Sequence, residues 1–225
     1  DLAVSAAVGH RINVEGTRHI LDFLGEAKHL ERLHYVSTAF VSGTAKGIYR
    51  ETDLDVGQGW KNHYERTKFE AEVLVAKSSL PKTIYRPGIV VGDSRTGETG
   101  KFDGPYFILR FMERLPSPGI FALPGGGHGT ANLVPVDFLI EALARLAASP
   151  GSLGKTYHLT DPDPLSPAQI ARLFARTLGK RFAFVPVPMV VAKAALLPIH
   201  GWLGMPLEAL DYFDDPVRHD ATIAT

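Results

Sequence analysis

Tyr64 and Lys68 stand four residues apart in HYERTKFE, a stretch free of helix breakers. On a helix this spacing puts both side chains on one face, where they address the same ligand. A phenol with a pKa near 10 is a poor acid or base at neutral pH, but a neighbouring ammonium favours the phenolate. The pair thus has the parts of a proton relay, although an exposed helix face carries the same pair without any chemistry. Upstream, HYVSTAFVSG closes an apolar run with the hydroxyls of Ser37 and Thr38. At the carboxyl end of a strand such a hydroxyl opens into the crevice where α/β proteins bind ligands, and it can hold a carbonyl oxygen. Read in isolation, the two also suit a turn that caps its own backbone.

The elements that would position these groups follow from periodicity. Apolar spacing predicts a helix over residues 4–28, then a strand at 33–36 and a Gly-, Asp- and Thr-rich loop at 42–59. Charges four apart and uninterrupted helix formers predict a helix over 61–77. TIYRPGIVV at 83–91 is β-branched and aromatic, a strand broken by Pro87-Gly88 where it leaves the sheet. Beyond it the composition shifts to Gly, Pro and aromatics through residue 129, with a helix at 106–114. Strands at 133–134 and 156–159 alternate with helices at 136–148 and 166–178, the last opened by Ser166, Pro167 and Gln169. This alternation predicts an α/β architecture with parallel pairing.

The chain has 225 residues, 45% of them hydrophobic, enough for one large domain or a domain with a smaller lobe. Lys plus Arg equals Asp plus Glu at 24 each, so no basic field speaks for a nucleic acid or an anionic membrane as partner. The absence of cysteine excludes disulfides, thiolate zinc sites and cysteine nucleophiles, and suits a reducing, cytoplasmic setting. The nine histidines form no ligand motif, no metal site is expected, and no Gly-x-Ser-x-Gly elbow is present. Residues 185–204 are apolar but broken by three prolines, Lys193 and His200, which predicts a buried or substrate-facing helix and no membrane span.

VSTAFVSG, Tyr64-x-x-x-Lys68 and YRPGIVVGD occur in an order and spacing that resemble the extended short-chain dehydrogenase/reductases. NVEGT at 13–17 and NLVPVDFL at 132–139 are similar to further family segments, so the resemblance extends over essentially the whole chain. It implies the C-terminal part of a Rossmann-like, doubly wound parallel sheet with a smaller mixed α/β substrate lobe. Residues 1–92 would form the partial Rossmann domain with the catalytic groups. Residues 93–225 would form the lobe, interleaved with the last strands and helices of the sheet.

By the same resemblance Tyr64 is the proton donor and acceptor, Lys68 tunes it and binds ribose, and Thr38 orients the substrate carbonyl, with Ser37 as the alternative. Asn13 would support the lysine through water, or else bend its helix. Pro87, Gly88, Ile89 and Val90 would pass beside the nicotinamide with Tyr64 and Lys68, while Arg86 would serve either the site or a nearby acid. GDSRTGETGKFDGPYFILR and STAFVSG resemble the male-sterility-like branch of fatty acyl-CoA and carrier-thioester reductases most. That branch implies NADP or NAD as cofactor, with NADPH favoured, and an acyl-CoA or acyl carrier thioester as small-molecule substrate; it is compatible with a homodimer. Phe102, Tyr106, Phe107, Phe111, Leu115, Ile120 and Phe121 would then line an acyl channel.

Sugar-nucleotide epimerases or dehydratases and hydroxysteroid dehydrogenases share the same triad, and a non-catalytic nucleotide-sensing protein or an inactive fragment could share the fold. The resemblance places Asp1 just after the fourth strand, without the glycine-rich turn that takes a pyrophosphate, so the segment alone is expected to be an incomplete enzyme. LPGGGHGTAN at 123–132 precedes a strand rather than opening a helix, and so reads as a turn and not that phosphate loop.

Overall fold

The computed structural model describes residues 5–102, 104–198, 210, 212 and 217–224. The chain forms two compact units, the first built from Asp1–Gly97, Leu133–Pro162 and Val217–Thr225, the second from Glu98–Asn132 and Asp163–Pro216.

In the first unit, helices α1 (Ala6–His10) and α2 (Gly16–Gly25) are joined by a π-helical turn, Arg11–Glu15. The helix expected over residues 4–28 is therefore present but locally widened, and its expected start at Val4 lies outside the described residues. Strand β1 (Leu33–Val36) leads through the 3-10 turn Ala39–Ser42 to the short strand β2 (Gly47–Tyr49). Helix α3 (His63–Lys77) then crosses to β3 (Lys82–Pro87), which is buried from Thr83 onward as the middle strand of the parallel order β1-β3-β7, with β7 being Thr156–Leu159. Parallel neighbours require such a crossover, and the buried polar residues of this covered strand, Thr83 and Arg86, are each hydrogen-bonded.

Proline has no N–H to continue a ladder, so β3 stops at Pro87. The next amide, Gly88, bonds to the Leu159 carbonyl at 3.1 Å, and the chain re-emerges as β4 (Ile89–Val91), paired with β6 (Leu133–Pro135). The expected break is thus a change of partner strand. Helix α5 (Val136–Ala148) packs Leu139 on Tyr85, Tyr157 and Leu159, and Arg32 holds its exit by donating to the Ser149 carbonyl at 3.1 Å and to Ser152 Oγ at 2.7 Å. Strand β9 (Val217–His219) returns beside β2, in the register Tyr49↔His219.

The second unit contains α4 (Pro105–Arg114), α6 (Pro167–Thr177) and the parallel pair of β5 (Gly119–Pro124) with β8 (Phe182–Val187). Its core joins Met112, Phe121, Leu123, Ala168, Ala171 and Ala175. Ser166 and Gln169 form the expected capping box, and Lys180 donates to the Met112, Glu113 and Leu115 carbonyls at the end of α4. Sequence spacing did not show β5 or β8. The apolar stretch read as one helix splits at Pro188 into β8 and α7 (Met189–Leu196), where Ala192 is buried and Val190 is 79% exposed; its part beyond residue 198 lies outside the described residues.

Of the residues assigned to an acyl channel, Phe121 is core, Phe111 and Leu115 pack against it, Phe107 packs on Leu210, and Phe102 and Ile120 are exposed. The glycine-rich stretch forms a tight turn, Gly125–Gly127, in which a Cβ on Gly127 would lie 3.1 Å from the Ala168 amide nitrogen.

Gly43, which follows the Ala39–Ser42 turn, closes the loop of residues 43–60. Its φ is +52°, and a Cβ there would lie 2.1 Å from the Gly59 carbonyl oxygen, the acceptor of the Thr44 amide. Gly43→Ala is expected to cost at least about 2 kcal/mol, read as a lower urea midpoint, because both the positive φ and the close approach penalise a side chain.

Candidate active site

Helix α3 begins at Asn62, whose side chain accepts from the Glu65 amide at 3.0 Å while the Glu65 carboxylate accepts from the Lys61 amide at 3.0 Å. Tyr64 therefore sits in the first turn, where the unpaired amides of a helix favour negative charge. One turn on, Lys68 Nζ donates to the Val36 carbonyl at the end of β1 at 3.0 Å and lies 5.2 Å from the Tyr35 ring centroid. Burial pulls the Lys68 ammonium below its ordinary pKa of 10.5, against the opposing field of Glu72. Burial also pushes the Tyr35 hydroxyl up to about 12, with its hydrogen bond to Thr17 acting the other way.

Glu72, one further turn along the same face, is fully buried. Its Oε2 accepts from the Ser37 hydroxyl, and its Oε1 accepts from Arg86 Nε at 2.9 Å and Nη2 at 2.6 Å. Arg86 thus serves the nearby acid. The remaining amino group of Arg86 lies 3.2 Å from His158 Nε2. A carbonyl only accepts, so His158 donates its Nδ1 hydrogen to the Asp220 carbonyl at 2.6 Å and turns an accepting Nε2 towards Arg86. Burial first, then the charges of Arg86 and His219, hold this imidazole down to about pKa 3 from an ordinary 6.5.

The two adjacent hydroxyls of the sequence are separated by these contacts. Ser37 is committed to Glu72, which removes it as the alternative carbonyl-orienting group. Thr38 has an extended backbone and accepts the Phe40 amide at 3.4 Å, capping the 3-10 turn and leaving its own hydrogen to donate. Asn13 lies in the π-helical turn and donates to Thr67 Oγ1 at 2.9 Å, whose hydroxyl donates to the Tyr64 carbonyl at 3.2 Å. Its link to the site is therefore through the backbone of Tyr64. π-turns are frequent at functional positions, and this one aims a side chain at α3. Pro87 and Gly88 are buried, Ile89 is half-buried and Val90 is 39% exposed; the Gly88 amide is spent on Leu159. Sequence reasoning missed Glu72, although Tyr64, Lys68 and Glu72 repeat at four-residue intervals.

The fold is that of the extended short-chain dehydrogenase/reductases. Within that class the chain belongs to the Male sterility protein family, whose profile matches residues 3–143. It is 32% identical over 178 residues to a fatty acyl-CoA reductase of Drosophila melanogaster, over 67% of this chain and 34% of that protein. To a non-canonical nonribosomal peptide synthetase of Aspergillus campestris it is 31% identical over 219 residues, 92% of this chain and 20% of that protein. The terminal R domain of the myxalamid PKS-NRPS pathway superposes with a TM-score of 0.77 at 27% identity, over 100% of this chain and 58% of that one. The chain thus spans 34% of one of these curated relatives and 20% of the other. Among the described residues no helix is long and apolar enough to cross a membrane, and no cluster of His, Cys, Asp or Glu could hold a metal.

Two consequences are measurable. His158 is neutral when folded and takes a proton near pH 6.5 when unfolded, so its contribution is complete above that pH and is lost as the pH falls towards 3. Between those limits the wild type should lose up to about 1.4 kcal/mol per pH unit more than His158→Asn in urea titrations. Arg86→Met, which leaves Glu72 buried and uncompensated, should cost about 3–5 kcal/mol.

Proposed function

We propose that this chain carries the catalytic half of an NADPH-dependent reductase that acts on acyl thioesters or the aldehydes derived from them. The observation that carries the reading is the placement of Lys68: its half-buried ammonium is pinned to the end of β1, two residues before Thr38, on the face of α3 that bears Tyr64. The described residues fit the nicotinamide-ribose end of such a cofactor, with a phenol, an ammonium and a buried Pro-Gly step at the carboxyl ends of parallel strands. When bound, the cofactor supplies the hydride.

The rest is done by the chain. The Thr38 hydroxyl donates to the carbonyl oxygen and holds it against Tyr64. As charge develops on that oxygen, Tyr64 releases its proton to it, and the phenolate left behind is stabilised by the Lys68 ammonium and by the N-terminal turn of α3. Lys68 keeps a donor for the ribose. Thioester chemistry is supported by kinship with a fatty acyl-CoA reductase.

The test is turnover by the protein carrying its complete cofactor-binding domain, with NADPH or NADH and a long-chain acyl-CoA or the matching aldehyde. NADPH should be consumed, and Tyr64→Phe should lower kcat about 10²- to 10⁴-fold while NADPH still binds. Unchanged turnover in Tyr64→Phe would remove the proposed chemistry.

A further inference from the structure

The turn that follows Thr38 is held from behind by a residue from the far end of the chain. His219 Nε2 lies 3.0 Å from the Ala39 carbonyl oxygen and 3.2 Å from Ser42 Oγ. Since the carbonyl can only accept, Nε2 carries the hydrogen and donates it into the turn. Ala39 and Ser42 are fully buried, so water does not compete for that bond.

The turn is buried, and Gln58 Nε2 donates to its Val41 carbonyl at 2.9 Å. Its internal bonds include Val41 N to the Thr38 carbonyl at 3.4 Å and Gly43 N to the Phe40 carbonyl at 3.0 Å, and short 3-10 turns have poor hydrogen-bond geometry. Thr38 in turn takes its side-chain orientation from the turn, through the Phe40 amide on its Oγ1. A clamp on Ala39 and Ser42 therefore bears on where the Thr38 hydroxyl points.

The clamp is itself firmly seated. Strand β9 is paired with β2, and the Asp220 amide extends the ladder to the Tyr49 carbonyl at 3.0 Å. The His219 ring stands edge-on to Phe40, Tyr49 and His158, at centroid distances of 6.4, 6.5 and 5.4 Å. Beyond it, Glu51 accepts from the amides of His158 at 2.8 Å and Ile223 at 2.6 Å, tying residues 217–224 to β7.

We infer that His219 is a positioning residue that sets the Thr38 hydroxyl for the substrate carbonyl by donating into the Ala39–Ser42 turn. The inference rests on the role proposed above for Thr38.

The test is a double-mutant cycle in the protein with its complete cofactor-binding domain, with kcat and KM measured for NADPH and a long-chain acyl-CoA. His219→Phe keeps a ring in the aromatic box and loses the donor, whereas His219→Gln keeps an amide donor; should His219→Phe fail to fold, His219→Leu takes its place. The donor-less variant is expected to lower kcat about tenfold or more, because sub-ångström misplacement of a reacting contact costs rates of that order, and to leave the NADPH KM within about twofold. His219→Gln should recover most of the rate. In a Thr38→Val background the donor-less substitution should cost nothing further.

Losses that multiply independently, an unchanged kcat, or no recovery with His219→Gln would each overturn the role of His219 and leave the proposed function standing. Wild-type turnover in Thr38→Val would instead overturn the role of Thr38, and this inference with it.

Discussion

The carboxylate of Glu72 is the constraint on which the site depends. A buried charge costs several kcal/mol unless it is paired and its lone pairs are filled, and this one satisfies both oxygens with groups from two different strands. Ser37 comes from the end of β1, Arg86 from the end of β3, and Glu72 itself from the middle of α3. The residues that follow those anchors are Thr38 and the Pro87-Gly88 step, and those that precede Glu72 by one and two turns are Lys68 and Tyr64. The bond network therefore fixes the height of the helix against the sheet, and with it the spacing between phenol, ammonium and threonine hydroxyl. Pairs of this kind contribute little net stability compared with an apolar replacement; what they supply here is one geometry.

The same network separates two electrostatic tasks. Because Glu72 spends its oxygens on Ser37 and Arg86, it acts on Lys68 as a field and not as an ion-pair partner. The ammonium is left to bond the Val36 carbonyl, on the helix face that also bears Tyr64. In the chemistry proposed for Tyr64, an acid paired directly with that lysine would neutralise the charge that a developing phenolate needs.

Much of this was legible in the sequence because its signals are local. The capping box at Ser166, the proline stop at Pro87 and the uninterrupted helix over α3 each depend on residues within one or two turns, and each stands where periodicity puts it. Strands β2 and β9 were not legible, since three residues make no pattern and the pairing joins Gly47 to Val217. β8 was hidden inside an apolar stretch whose composition suits a helix equally well, until Pro188 is seen to divide it. Ser37 and Thr38 are equivalent as adjacent hydroxyls on paper. Only the position of Glu72 distinguishes them, by consuming one and leaving the other.

Parallel topology explains why support for the site comes from so far along the chain. In a parallel sheet every strand delivers its carboxyl end to the same edge, so Thr38, Gly88 and Thr160 arrive as loops with no hairpin partner to stiffen them. Their backbone groups still have to be satisfied. The first unit does this by bringing residues 217–224 back across that edge: His219 bonds the turn after β1, Asp220 receives His158 from β7, and Glu51 joins the Ile223 amide to the same strand. With the role inferred for His219, the setting of the Thr38 hydroxyl is a property of the returning segment as much as of the strand that carries it.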